Sequence, residues 1–235
     1  MGEIWDSIQA AFSLLAHPDR YLLSTILVSF KVSGVALLLC FPVSAALAAA
    51  IALGRFPGKG TLKLLIRTAM GLPSVVVGLL VLLLLSEAGP FKGLLWTPRA
   101  MVISQLVLIT PLVLGVMVSS LEGVSRRVAE AAHVLGANRL QVAWTVVKEA
   151  RAGFLTAGVA GFGRAIAEVG SVLIVGGNIA WADGTSYTRT LTTAIVVESR
   201  KGNFETALAF GIVLLVLVLC VNLILGFLER PGEAR

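Results

Sequence analysis

An arginine and a glutamate, Arg164 and Glu168, stand four residues apart inside an otherwise apolar stretch of the chain. Residues at this spacing share one face of a helix. A charged side chain inside a membrane span costs about 2.5–3.5 kcal/mol on insertion scales, so we expect this pair to face a bundle interior or a wet cavity. Two interpretations stay open. Either the charges satisfy each other and stabilise the fold, or Arg164 supplies positive potential along an anion path and Glu168 holds it in place.

The sequence lacks the residue spacing of a phosphate-binding loop, of a metal site and of a nucleophile with its base. The segment GRFPGKG (residues 54–60) is one residue too short between its outer glycines for a phosphate-binding loop, and Lys59 is followed by Gly60 rather than Ser or Thr. His17 and His133 are expected on opposite sides of a membrane, so they cannot share a metal ion. No Ser or Cys has a His or Asp near it in sequence to act as a base. We therefore expect no enzyme activity, no metal site and no cofactor on this chain, and any ATPase must be another chain.

The longest polar interruption, residues 126–151, predicts two short helices with a break between them. Four apolar residues recur at helical spacing and give the first helix one apolar face: Val128, Ala131, Ala132 and Leu135. Gly136 can adopt the left-handed conformation that ends a helix. Asn138 can cap the next helix, with Gln141 three residues on, close to a capping box. A short helix with an apolar and a charged face suits a docking surface.

The sequence Glu-Ala-Ala, three residues, then Gly resembles the EAA loop of the membrane-spanning subunits of type I ABC importers. In that family the loop is cytoplasmic, and its first helix is a coupling helix that fits a groove on a separate ATPase subunit. The resemblance implies the docking residues Glu130, Ala131, Ala132, Leu135 and Gly136. The family often has a Leu-Pro pair about a dozen residues after the Gly, where this chain has Lys148 and Glu149. The alternative interpretation is a charged loop that only sets topology.

The composition predicts an all-α integral membrane protein. Hydrophobic residues make up 57% of the chain and charged residues only 14%, against about 25% charged in soluble domains. Apolar runs of about 20 residues span a bilayer. We predict five spans in one transmembrane domain (residues 21–235), with a cytoplasmic loop at about 122–152; the spans are residues 21–53, 64–85, 100–121, 153–175 and 204–228. The fourth span has small residues at every fourth position, which let another helix approach closely: Gly153, Ala157, Gly161 and Ala165.

Charge and amphipathicity predict the orientation of the chain. Residues 1–20 have the apolar spacing of an amphipathic helix, lying on the membrane or against the bundle, and lack the basic start of a signal peptide. Placing the loop at 122–152 in the cytoplasm puts eleven Lys and Arg residues inside and six outside, in agreement with the positive-inside rule. The N-terminus is then outside and the C-terminus cytoplasmic. Basic loops also explain the net charge of +6 without a nucleic-acid partner.

The chain from residue 161 onward extends the resemblance. GFGRAIAEVGSVLIVGGNI (161–179) carries the Arg-Ala-Ile-x-Glu-x-Gly pattern of molybdate and sulfate permeases, with Ala167 at a position that is often Gly in the family. The Val-Gly-Gly-Asn-Ile run and TRTLTTAIVVESRKGNF (188–204) are most similar to tungstate permeases. The resemblance implies a MetI-like permease bundle in the cytoplasmic (inner) membrane of a prokaryote, which imports an oxyanion. Tungstate is the expected substrate, with molybdate or sulfate as the alternative.

The same resemblance implies the partners and the path. A second copy of the chain would complete a homodimer, two ATPase subunits would hold ATP and Mg²⁺, and an extracytoplasmic oxyanion-binding protein would deliver the anion. The expected path residues are Arg164, Glu168, Gly176, Gly177 and Asn178, the glycines through their backbone amides. An ion-coupled secondary transporter is the rival class. Five spans that do not halve, and few ionisable groups within them, disfavour it.

Overall fold

The computed structural model describes residues 2–124 and 126–229, and in that part of the chain regular structure is helical. An isolated antiparallel bridge joins Ala180 and Ser186. The helices are α1 (Gly2–Ala16), α2 (Arg20–Leu53), α3 (Lys59–Met70), α4 (Ser74–Leu85), α5 (Pro98–Gly123), α6 (Arg126–Val134), α7 (Arg139–Glu149), α8 (Arg151–Ile166), α9 (Gly170–Gly176), α10 (Leu191–Arg200) and α11 (Phe204–Glu229).

The predicted spans are present, but two of them are broken. Helices α2, α5 and α11 are each long and apolar enough to cross a membrane, whereas α3 and α4 meet at 98° and α8 and α9 at 57°. The count is five if each bent pair is one span. The second and fourth spans therefore each consist of two helices, whereas the length of their apolar runs suggested one helix each. Gly71 and Pro73 explain the first break, because Gly71 ends α3 and Pro73 precedes α4 without an N–H to continue the ladder.

Helix α5 lies at the centre of the bundle. It contacts α2, α3, α4, α8 and α9, and it buries apolar residues along its whole length, among them Met101, Ile109, Val113 and Met117. The remaining helices cover parts of this frame. Helices α1 and α10 both contact α11, and α7 contacts α2 and α8. The break between α8 and α9 is therefore held against the central helix.

The small-residue stripe of α8 packs against α5, as the sequence predicts. A Cβ added to Gly153 would lie 2.0 Å from Ser120 Oγ, and one added to Gly161 would lie 2.5 Å from Val113 Cγ2. Neither contact is possible without movement of the partner. The two alanines of the stripe are fully buried. This close approach fixes α8, and with it Arg164, on the central helix.

The predicted N-terminal amphipathic helix is present as α1 and lies against α11. Trp5 and Phe12 on this helix are largely exposed. Which side of the membrane it occupies stays a prediction, as does the assignment of residues 21–235 to a single domain. The charged C-terminal residues 230–235 lie outside the described residues.

Candidate functional site

The charged pair predicted from the sequence lies at the break between α8 and α9. Arg164 Nη1 is 3.6 Å from Glu168 Oε2, and the side chains are 42% and 2% exposed respectively. The second carboxylate oxygen of Glu168 accepts a hydrogen bond from the Ser171 backbone N–H at 3.0 Å. One carboxylate oxygen of Glu168 therefore accepts a backbone N–H at the start of α9, and the other forms an ion pair with the Arg164 guanidinium. One side of that guanidinium remains open, because Arg164 is the exposed member of the pair.

Two polar residues that the sequence interpretation did not single out complete this break. Gln105 of α5 donates from Nε2 to the Ala165 carbonyl at 3.0 Å, and the Thr192 hydroxyl donates to the Glu168 carbonyl at 2.7 Å. The Ala165 carbonyl also accepts from the Glu168 N–H at 3.2 Å, so Gln105 adds a second bond where the helical ladder of α8 runs out. A glutamine in the middle of an apolar helix was the signal that could have pointed to Gln105. Thr192 is 24 residues from its partner, and no local pattern connects them.

The other predicted path residues lie at the opposite end of α9. The Gly176 carbonyl accepts from the Thr188 hydroxyl at 2.6 Å, and the Gly177 N–H donates to the Leu173 carbonyl at 3.1 Å. Asn178 accepts from Arg189 Nε at its side-chain oxygen, at 3.1 Å. The Gly177 amide is thus engaged within the protein. A seven-residue helix, about 10 Å long, separates this group from the charged pair, and the role of either group in an anion path stays a prediction.

Arg189 is the charged residue that organises the end of α9. Besides its bond to the Asn178 side chain, it donates to the Asn178 carbonyl at 3.3 Å and to the Tyr21 hydroxyl at 3.2 Å. Asn178 has φ +55°, and Gly177 has φ +69° with its α-carbon face against the Trp96 ring. The sequence alone assigns Arg189 no role. Its partners belong to α2 and to the segment after α9, so only the folded chain brings them together.

Helices α6 and α7 form the predicted pair with a break between them, hereafter the α6–α7 hairpin. Gly136 has φ +81°, and the Leu135 and Ala137 amides donate back to the Ala131 and Ala132 carbonyls at 3.1 and 3.0 Å. The next helix begins with a capping box, in which the Asn138 side chain accepts from the Gln141 N–H at 2.9 Å and the Gln141 side chain accepts from the Asn138 N–H at 2.8 Å. The predicted helix end and cap are both confirmed.

The α6–α7 hairpin exposes four large apolar side chains, hereafter the hairpin patch: Val134 (87% exposed), Leu135 (86%), Leu140 (82%) and Trp144 (70%). On the other side of α7, Val142 and Val146 are buried in the core, and Ala132 of α6 packs against the same cluster. Glu130, Ala131 and Gly136 are exposed. The sequence interpretation found Leu135 but missed Leu140 and Trp144, although their four-residue spacing on α7 was visible.

Comparison with known proteins identifies the class. Residues 42–231 match the family model of the binding-protein-dependent transport system inner membrane component. The chain therefore belongs to this family, and it is a multi-pass inner membrane protein and an ABC permease. Such permeases are not themselves enzymes. The resemblance found from the EAA loop is confirmed at this level.

Individual relatives sharpen the comparison. A probable anion ABC transporter permease from Haloferax volcanii is 50% identical over 86% of this chain and 88% of the relative. The tungstate uptake system permease of Peptoclostridium acidaminophilum is 35% identical over 98% of this chain and 100% of the relative. Molybdenum and sulfate transport permeases are more distant relatives. A bacterial alginate ABC transporter, solved in complex with a periplasmic protein, shares the fold at a TM-score of 0.71 and 20% identity, covering 93% and 81% of the two chains.

Proposed function

We propose that this chain is the membrane-spanning permease subunit of an ATP-driven importer that moves a tetrahedral oxyanion, tungstate, into the cytoplasm. The observation that carries the substrate is the end-to-end similarity to a tungstate uptake permease. Molybdate and sulfate have the same charge and nearly the same shape, so they are the alternatives within the class. A separate binding protein on the outer side would do most of the selecting.

The Arg164–Glu168 pair supports an anion path physically. A buried carboxylate holds the arginine, while the guanidinium stays half-exposed. Glu168 forms an ion pair with Arg164 and accepts a hydrogen bond from the start of α9, so the carboxylate links the arginine to that helix. A guanidinium keeps further N–H donors for a second anion. We propose that Arg164 contacts the oxyanion in transit and that Glu168 positions it.

The α6–α7 hairpin is the proposed docking site for the ATPase subunit that carries ATP and Mg²⁺. Four of its exposed side chains are large and apolar although the surrounding loop is charged, which is the composition of a protein-binding surface. ATP binding would close two ATPase subunits and move the two hairpins of a permease homodimer. Alternating access follows if the bundle has two packings and each nucleotide state favours one of them. The N-terminus would lie outside and the C-terminus in the cytoplasm.

Reconstitution tests this proposal. The permease, the ATPase and the binding protein encoded with it are placed in liposomes, and tungsten uptake is measured by mass spectrometry with and without ATP. We expect ATP-dependent uptake of tungstate, reduced by unlabelled molybdate or sulfate only to the extent that the binding protein accepts them. Uptake that follows an ion gradient instead of ATP would place the chain among secondary transporters.

Arg164→Gln tests the path within the same assay. We expect uptake to fall by at least about tenfold, because a charge-assisted contact to the anion is lost, while the ATPase still copurifies. Arg200→Gln is the matched control, since Arg200 is an exposed arginine at the end of α10. Normal uptake by an intact Arg164→Gln complex would leave the pair with a structural role only.

A further inference from the structure

Three cations on one face of α3 meet a single carboxylate from α5. Lys59, Lys63 and Arg67 follow each other at four-residue spacing. Glu122 of α5 lies 3.5 Å from Lys59 Nζ and 2.5 Å from Lys63 Nζ. Lys59 is held further by hydrogen bonds to the Ala52 and Gly54 carbonyls at the end of α2, at 2.8 and 3.4 Å. Glu122 therefore pairs with Lys59 and Lys63, and among the described residues no ion pair joins it to Arg67.

Arg67 and Ser119 face a cleft between α3 and α5 with hydrogen-bonding capacity to spare. Within the described part of the chain, neither side chain has a recorded hydrogen bond or ion pair, and both are exposed. The cleft has a volume of about 410 Å³ and is lined on α3 by Lys63, Ile66, Arg67 and Met70, and on α5 by residues from Gly115 to Ser120. Three positive charges against the one negative charge of Glu122 leave a surplus of two on this face of α3, and Lys63 and Arg67 bring that surplus to the cleft.

Helix periodicity places the α5 side of the cleft opposite α2. On α5, Thr110 bonds Cys40 of α2 at 3.4 Å, and Ser119 follows nine residues later, half a turn round the helix from Thr110. The cleft therefore faces away from α2.

Helix periodicity in α8 also turns Arg164 away from α2. Phe162 stacks on Phe30 of α2, with ring centroids 5.7 Å apart. Arg164 comes two residues later, about 200° round the helix, so it also faces away from α2. Arg164 at the α8–α9 break and the cleft near the end of α5 from which the α6–α7 hairpin follows are thus both turned away from α2.

We propose that the cleft of Lys63, Arg67 and Ser119 is an exit-side binding site for the transported tetrahedral dianion, an inference that rests on the proposed function. The charge balance favours this ligand, because a dianion neutralises both surplus charges, whereas the phosphodiester of a phospholipid carries one. Guanidinium, ammonium and hydroxyl donors are the groups that bind such oxyanions. The site would receive the anion after Arg164 releases it and hold it until it leaves for the cytoplasm.

Equilibrium dialysis of the nucleotide-free permease–ATPase complex tests this site. The complex is placed in nanodiscs of phosphatidylcholine without the binding protein, and bound tungstate is measured by mass spectrometry. We expect Arg67→Gln to weaken tungstate binding by about tenfold or more, and Ser119→Ala to weaken it by a smaller factor. Arg67→Lys keeps the charge and should retain most of the affinity. Arg55→Gln is the matched control, since Arg55 is exposed in the loop just before α3 and should leave binding unchanged.

The outcomes separate this site from the proposed function. If the wild-type complex imports tungstate and Arg67→Gln binds it as tightly as the wild type, the exit site is wrong and the importer stands. If nanodiscs with phosphatidylglycerol retain that lipid through Arg67 while tungstate does not bind, the cleft is a lipid-phosphate site and the proposal is overturned. If wild-type liposomes import no tungstate at all, the proposed function fails first. Copurification of the ATPase with each variant shows that the complex is intact.

Discussion

Two loop regions at opposite ends of α5, the α9–α10 loop and the α6–α7 hairpin, differ in which of their side chains are left exposed. The α9–α10 loop (residues 177–190) ties its polar groups to the protein: its Thr188 hydroxyl accepts from the Ile179 N–H at 2.8 Å and donates to the Gly176 carbonyl. The loop and the start of α10 are also fastened to α2, where two serine hydroxyls, those of Ser24 and Ser29, each accept a backbone N–H at 2.9 Å. The α6–α7 hairpin instead satisfies its backbone and leaves its largest apolar side chains outside.

The α9–α10 loop has its polar groups bonded within the protein, whereas the α6–α7 hairpin has large apolar side chains that a partner could cover. Hydrogen bonds to buried groups are already made in the α9–α10 loop, so binding there would have to act through its exposed tip. Exposure of the hairpin patch to water costs roughly 25 cal/mol per Å² of apolar surface. A partner that covers it recovers that free energy. The comparison therefore predicts that changes in the hairpin act on assembly and changes in the loop act on stability.

The largest expected effect comes from a charge in the hairpin patch. Leu135→Asp should remove the ATPase from the purified complex and abolish uptake, because central apolar contacts in an interface are worth about 2–4 kcal/mol, or roughly 30- to 1,000-fold in affinity. The measurement is the amount of ATPase retained on the tagged permease. Phe91→Asp is the control, since Phe91 is similarly exposed but precedes α5 at its other end. Retention of the ATPase by Leu135→Asp at the wild-type level would mean that the loop only sets topology.

The hairpin was predictable because its signals are local. Gly136 marks a left-handed residue and Asn138 with Gln141 marks a cap, and the backbone needs both within a few residues. The Arg164–Glu168 pair was predictable from its four-residue spacing, although Glu168 lies in the break after α8 and not on the helix itself. The breaks within the second and fourth spans were missed. An apolar run measures length without direction, and a 98° bend leaves its hydropathy unchanged.

The α9–α10 loop could not be predicted in this way. Its bonds join residues 162 apart in sequence, Ser24 to Ser186 and Ser29 to Leu191. Arg189 reaches Tyr21 over a similar separation. A pattern within one segment cannot show that a serine on the first long helix will accept a bond from a loop near the end of the chain. The cleft of Lys63, Arg67 and Ser119 likewise joins α3 to α5, which no local pattern connects.

A change in the α9–α10 loop should lower stability and spare assembly. Thr188→Val leaves the buried Gly176 carbonyl and the Ile179 N–H without a partner, and each unsatisfied group costs about 1–3 kcal/mol. At about 2–4 °C per kcal/mol for a chain of this length, we expect the midpoint of thermal unfolding in detergent to fall by at least about 4 °C. Thr188→Ser keeps the hydroxyl and should lie near the wild type. ATPase retention should not change with either variant, and its loss in Thr188→Val alone would break the contrast between the two regions.

The smallest expected effect is a pH dependence at the end of α10. Burial raises the pKa of Glu198, but hydrogen bonds from Lys201 Nζ at 2.8 Å and Asn203 Nδ2 at 3.0 Å outweigh it and hold the pKa below its ordinary value. A carboxylate whose pKa is lowered on folding contributes stability that is fully present above its unfolded pKa, about 4.3, and is lost as the pH falls through the folded pKa. The contribution should therefore be constant between pH 7 and pH 5 and fall at lower pH.

Glu198→Gln isolates this contribution at the well-bonded end of the molecule. The difference in unfolding midpoint between wild type and variant should be flat from pH 7 to 5 and shrink on acidification, since protonated Glu198 and glutamine are both neutral. Glu205→Gln at an exposed position of α11 is the control. A difference that grows below pH 5 would mean that the carboxylate is destabilising when ionised, and that burial outweighs its two donors. The hydrogen-bonded end of the bundle would then contain an unfavourable charge, and its contrast with the hairpin would rest on Thr188 and the serines of α2.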